Sequence, residues 1–174
     1  MEHFDLWTIY EGDSNHVIAG AITNMVKSGG QKFGWIPYLF TEGDSRRQGI
    51  GKKMDELICS EAASQGAIGM FLEIVDPKRI SVEEREREIR FYNQGLDETL
   101  FSPEGRLAFW KACDYQEVGM HFISVGYETP YMLMFKYLSP EQIGSKTISA
   151  KTVNEAILCN LGWRIQREIL NSSR

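Results

Sequence analysis

Arg46-Arg47-Gln48-Gly49-Ile50-Gly51, running into Lys52-Lys53-Met54, is a basic, glycine-bearing turn between two readable elements. Upstream, Phe33-Gly34-Trp35-Ile36-Pro37-Tyr38-Leu39-Phe40 has the aromatic and aliphatic content of a strand. Downstream, Met54, Leu57, Ile58 and Ala62 recur at helical spacing, which predicts a helix over 52–64 ending near Gly66. Glycine lets the backbone approach a ligand with no Cβ in the way. The free N–H groups of a first helical turn, with the positive end of the helix dipole, suit a phosphate. Arg46, Arg47, Lys52 and Lys53 add attraction for an anion. By spacing alone the turn fits an anion site or a plain loop equally. It is neither a G-x-x-x-x-G-K-[ST] P-loop nor a dinucleotide G-x-G-x-x-G.

The 174-residue chain is long enough for one compact domain with a normal core, and 43% hydrophobic residues argue against disorder. A net charge of −5 excludes a general nucleic-acid binder, so the basic turn is a local patch. Cys59, Cys113 and Cys159 have no metal-ligand spacing, and His3, His16 and His121 are scattered, so no metal site is expected. With no secretory signal in view, the thiols read as reduced and the protein as cytoplasmic. No apolar run reaches membrane-spanning length.

Strands are expected at 6–10, 16–26 and 33–40, the last two joined through Gly29-Gly30. A buried strand follows the first helix at 67–75 and stops at Asp76-Pro77. Ser81-Val82-Glu83-Glu84 has capping-box spacing and opens a charged helix to about Gln94. Ser102-Pro103-Glu104 opens the next helix, through Cys113. Strands at 117–125 and 131–137 flank a turn at 126–130, and Ser139-Pro140-Glu141-Gln142 signals a short helix. A last helix is expected from about Ser149 to Leu170, with Val153, Ile157, Leu161, Ile165 and Ile169 as an apolar stripe. The order predicts a mixed, mostly antiparallel α/β sheet with flanking helices.

R-x-x-G-x-G after an aromatic strand resembles the acetyl-CoA pyrophosphate loop of the GCN5-related N-acetyltransferases. Phe71-Leu72-Glu73-Ile74-Val75 looks like that family's next strand, and Phe109-Trp110-Lys111-Ala112-Cys113-Asp114-Tyr115-Gln116-Glu117-Val118-Gly119 is similar to its late L-Y-E-K-L-G-F-x-E-V-G segment. The likeness covers about residues 4–138. It implies an acetyltransferase-like domain over 1–138, with a splayed sheet and without the usual first strand and two helices. Residues 139–174 would be a C-terminal extension packed on the same domain or on a partner subunit, in the latter case a homodimer.

The resemblance also implies acetyl-CoA as co-substrate. The strand backbone at Leu39, Phe40 and Thr41 would pair with the pantetheine amides, and the turn formed by Arg46, Arg47, Gln48, Gly49, Ile50, Gly51 and Lys52 would hold the pyrophosphate. An amine attacking the thioester must first lose a proton, and a carboxylate, often through water, can take it. Glu73 is the candidate, because it interrupts an apolar strand where a charge is costly to bury. The other reading is a solvent-facing glutamate or one paired with an arginine such as Arg90. Glu42 is the second choice.

Aligning Trp110-Lys111-Ala112-Cys113-Asp114-Tyr115 on Y-E-K-L-G-F puts Trp110 at the family's tyrosine, and indole N–H is no useful acid. Tyr92 and Tyr115 are the replacement candidates for protonating the leaving thiolate, and packing is the alternative role for each. The run Glu83-Glu84-Arg85-Glu86-Arg87-Glu88 reads as a solvated helix face. The expected activity is transfer of acetyl from acetyl-CoA to a primary amine that the sequence does not identify. The alternative is a non-catalytic acyl-CoA-binding or interaction domain of the same fold.

Overall fold

The computed structural model describes residues 4–93, 102–123, 129–139, 149–161 and 170–171. The expected short helix at 139–142 and most of the turn at 126–130 lie outside them. The chain divides into two compact units, Met1–Leu72 with Lys136–Gly162 and Glu73–Phe135 with Trp163–Arg174. It is mixed α/β and mostly antiparallel, as expected.

In the first unit β1 (Phe4–Tyr10), β2 (Val17–Ser28) and β3 (Gln31–Thr41) form an antiparallel meander. The β2–β3 link turns on Gly29 and Gly30, at φ 56 and 76°, angles that glycine adopts without a Cβ clash. Helix α1 (Ile50–Ser64) then carries the chain to the start of β4 (Ala67–Val75), which pairs in parallel with β3 from Lys32↔Ala67 to Ile36↔Leu72. Phe71 packs against Phe33 and Trp35 at ring separations of 5.2 and 5.5 Å.

Helix α1 packs on β2 and β3 through Met54, Asp55, Ile58, Cys59 and Ala62, while Leu57 is 47% exposed. The expected stripe is therefore rotated to take in an acid. Asp55 is buried because Lys136 Nζ donates to its Oδ2 at 2.9 Å. Gly49, at φ 77°, caps α1 and starts it at Ile50, ahead of the expected residue 52.

Helix α4 (Ala150–Leu161) packs on β2, with Val153 and Ala156 buried. Ser28 Oγ lies 2.8 Å from the Thr152 carbonyl and 3.1 Å from Glu155 Oε2. The last helix does not reach Leu170. Leu170–Asn171 is a short strand, β7, on the edge of β5, so backbone pairing prevails over helical periodicity there.

The second unit has the strand order β4-β6-β5-β7, with β5 at Gln116–Ile123 and β6 at Pro130–Tyr137. Helix α2 (Val82–Asn93) has the expected capping box, with the Glu84 N–H donating to Ser81 Oγ at 3.2 Å. Helix α3 (Pro103–Ala112) starts at Ser102, whose Oγ accepts the Gly105 N–H at 3.0 Å. The charged face of α2 is partly spent on α3, since Arg85 pairs with Glu104 and Arg106 Nη2 lies 2.6 Å from Glu88.

Candidate functional site

Two features of the first unit define the candidate site. The β3–β4 register ends at Ile36↔Leu72, and Pro37, which has no N–H to donate, follows at once. From Tyr38 to Thr41, β3 stays paired with β2 on one side. Among the described residues of this unit no strand pairs with its other side beyond Ile36, which leaves main-chain groups there for a ligand. The segment contains Leu39, Phe40 and Thr41, the expected pantetheine-contacting backbone.

The second feature is the turn that follows. After a 3-10 turn at Gly43–Ser45, Arg47 takes a left-handed φ of 60° and Gly49 one of 77°. A Cβ built on Gly49 meets nothing within 4 Å, so open space stands before the helix start. The first helical hydrogen bond runs from the Lys53 N–H to the Gly49 carbonyl at 3.0 Å. The N–H groups of Ile50, Gly51 and Lys52 precede it, so they have no helical acceptor. No acidic residue occupies the first turn of α1.

Arg47, Gln48, Lys52 and Lys53 are exposed around this start, and Gln48 Nε2 donates to the Asp44 carbonyl at 3.1 Å. Arg46 folds back instead, its Nε donating to the Thr41 carbonyl at 3.0 Å, and burial lowers its pKa. Arg46 thereby ties the end of β3 to the turn.

Glu42 lies at the end of β3, its Oε2 2.6 Å from His16 Nε2 in an exposed pair. In the second unit Glu73 is half-buried on β4 between Leu72 and Ile74, both buried. Tyr115 is 2% exposed, and its ring meets Trp110 edge-on at 5.1 Å. Trp110 in turn packs on Phe109. Tyr92 belongs to α2, but its side chain lies outside the described residues.

One ionisable cluster was not anticipated. Asp76, fully buried at the end of β4, lies 2.7 Å from His121 Nδ1 and 3.5 Å from Arg79 Nε. Its Oδ1 accepts the Lys78 N–H at 2.9 Å, and its own N–H donates to the Pro130 carbonyl at 2.8 Å. Neither Asp76 Oδ2 nor His121 Nδ1 has hydrogen-bond geometry, so their contact is one of proximity. The only sequence signal for it was Asp76-Pro77, read as a strand stop. Among the described residues no cluster could hold a metal ion, and no helix is long and apolar enough to cross a membrane.

No protein-family model matches the sequence, and no curated protein matches it. Solved structures do. The NatC complex bound to Gag peptide and CoA matches at 16% identity and a TM-score of 0.56, over 77% of this chain and 71% of that one. The aminoglycoside 6'-N-acetyltransferase from Enterococcus faecium matches at 18% and 0.53, over 79% and 76%. The chain has the GCN5-related N-acetyltransferase fold. The ribosomal-protein-S18-alanine N-acetyltransferase from Escherichia coli matches over 84% of this chain and 75% of its own, at 13% identity and a TM-score of 0.51. At these identities the likeness is one of fold.

Proposed function

We propose that the chain is an acyl-CoA-dependent N-acyltransferase that moves acetyl from acetyl-CoA to a primary amine by direct attack. One observation carries the reading. A strand loses its neighbour at a proline and leads, through left-handed Gly49, into a helix start with unshared N–H groups and no acidic residue in its first turn. That donor set fits a pyrophosphate, and the open space before Gly49 admits one. When bound, acetyl-CoA supplies an activated thioester. The main chain of Leu39, Phe40 and Thr41 pairs with its amide-bearing arm, and the amides from Arg47 to Lys52 hold its phosphates.

Glu73 takes the proton of the attacking amine, directly or through water. Its half-burial on an apolar strand supports that role. The departing thiolate takes its proton from Tyr92, Tyr115 or water. The burial of Tyr115 against Trp110 favours the other two. A cytoplasmic setting fits the thiols of Cys59 and Cys113, which are buried and not joined in a disulfide. Dimerisation through the C-terminal helix has less support, because Val153 and Ala156 are already buried within the chain.

The test is thiol release from acetyl-CoA with a panel of primary amines, using the wild type and Glu73→Gln. Turnover should fall 10²–10⁴-fold in the variant at neutral pH, the usual range for a lost general base, with unchanged acetyl-CoA affinity. Tight binding with no turnover on any amine would favour the non-catalytic alternative. Equal rates for both proteins across the pH range would remove Glu73 from the mechanism.

A further inference from the structure

We propose that the outer edge of β1 pairs antiparallel with β1 of a second copy, joining two sheets into one. β1 ends the strand order, and among the described residues its only strand neighbour is β2. Proteins guard such an edge with lysine, proline, a bulge or a covering element. Phe4-Asp5-Leu6-Trp7-Thr8-Ile9-Tyr10 has neither lysine nor proline, and its one irregularity falls at the end, between Ile9 and Tyr10. The strand alternates strictly, and the side chains on its outward face are exposed. Leu6 is 75% exposed, Tyr10 50% and Phe4 49%. Three large apolar groups on one face of an open edge exceed the scattered exposure normal for a surface.

The sequence of β1 is also complementary to itself. A two-fold axis centred on Trp7 and perpendicular to the sheet keeps both exposed faces on the same side. It sets Phe4 opposite Tyr10 of the second copy, twice over, and Leu6 opposite Thr8. Aromatic cross-strand pairs of this kind stabilise a sheet. Asp5 falls opposite Ile9, so the only charged residue of β1 does not meet its own copy. A two-fold pairing closes on itself and makes a dimer, not a fibre. Self-complementarity is the reason to assign a second copy and not an unrelated strand. The inference does not depend on the transferase reading.

Light scattering coupled to size exclusion, at 10–100 µM protein, tests it. The wild type should run at twice the chain mass, and both Leu6→Lys and Thr8→Lys at the chain mass. Both positions are exposed, so the variants should keep the melting temperature that the fold has at low concentration. A monomeric wild type throughout this range would overturn the proposal. So would a dimer that persists in both lysine variants, since its interface would then lie elsewhere.

Discussion

Asp114 stands where the acetyltransferase pattern has glycine, and its backbone shows why glycine suits the position. Its φ is 68°, just beyond the end of α3, where its N–H closes the helix on the Lys111 carbonyl at 3.1 Å. A left-handed conformation costs a residue with a Cβ roughly 1 kcal/mol or more, though aspartate bears it better than most. Asp114→Gly should therefore raise stability by about 1 kcal/mol, a shift of about 2–4 °C in melting temperature. An unchanged or lower value would mean that the aspartate side chain supplies an offsetting interaction.

Lys136 and Asp55 make the opposite kind of residue-scale statement. Burial works against the Lys136 ammonium, but the hydrogen bond to Asp55, its charge and the nearby Cys59 outweigh that and hold its pKa above the ordinary lysine value. A raised folded-state pKa stabilises fully below the unfolded value, about 10.4, and the contribution fades as pH rises through the folded value. Stability should thus decline in the alkaline range beyond about pH 10.4, and less so in a protein without the pair. Asp55→Ala should cost about 3 kcal/mol by leaving an ammonium half-buried without its partner. The double variant with Lys136→Met should recover part of that loss, and denaturant melts of the singles and the double measure the coupling.

At the scale of elements, the turn before α1 separates folding from binding. Gly49 needs a positive φ, which asparagine tolerates better than any branched residue. Gly49→Asn should leave the melting temperature of the free protein nearly unchanged while placing a side chain in the open space before the helix. Under the proposed function, the thermal shift given by acetyl-CoA should shrink or vanish. For a site filled a hundredfold over its dissociation constant, that shift corresponds to about 2.7 kcal/mol. A full shift in the variant would make the turn a connection and nothing more.

The elements legible in the sequence were those whose signals are local. The strand, turn and helix around Gly49, the Ser81–Glu84 box and the Ser102-Pro103 start are written within a few residues each. What escaped depends on distant partners. The face of α1 was misjudged because Asp55 is buried by a lysine 81 residues away. The Asp76–His121 contact joins the ends of separate strands, and β7 exists only because β5 offers it an edge. The turn itself was legible, but the end of the β3–β4 register at Pro37 is a property of pairing. Sequence showed the proline and could not show that pairing with β4 ends there.

For the whole molecule, the question is what covers the sheet. In the first unit part of that cover is α4, which lies on β2 with Val153 and Ala156 inside and Ser28 bonded to its backbone. A buried valine side chain contributes about 1.5–3 kcal/mol, and an acid forced into its place adds the cost of an unpaired charge. Val153→Asp should therefore lower stability by several kcal/mol and loosen α4 from the sheet, read as early amide exchange in both β2 and 150–161. Deleting residues 139–174 should do more, exposing the apolar side of β2 and driving aggregation. The point variant keeps the test informative if the deletion proves insoluble. If Val153→Asp melts with the wild type and exchange in β2 is unaltered, α4 is an appendage, and the sheet is stable without it.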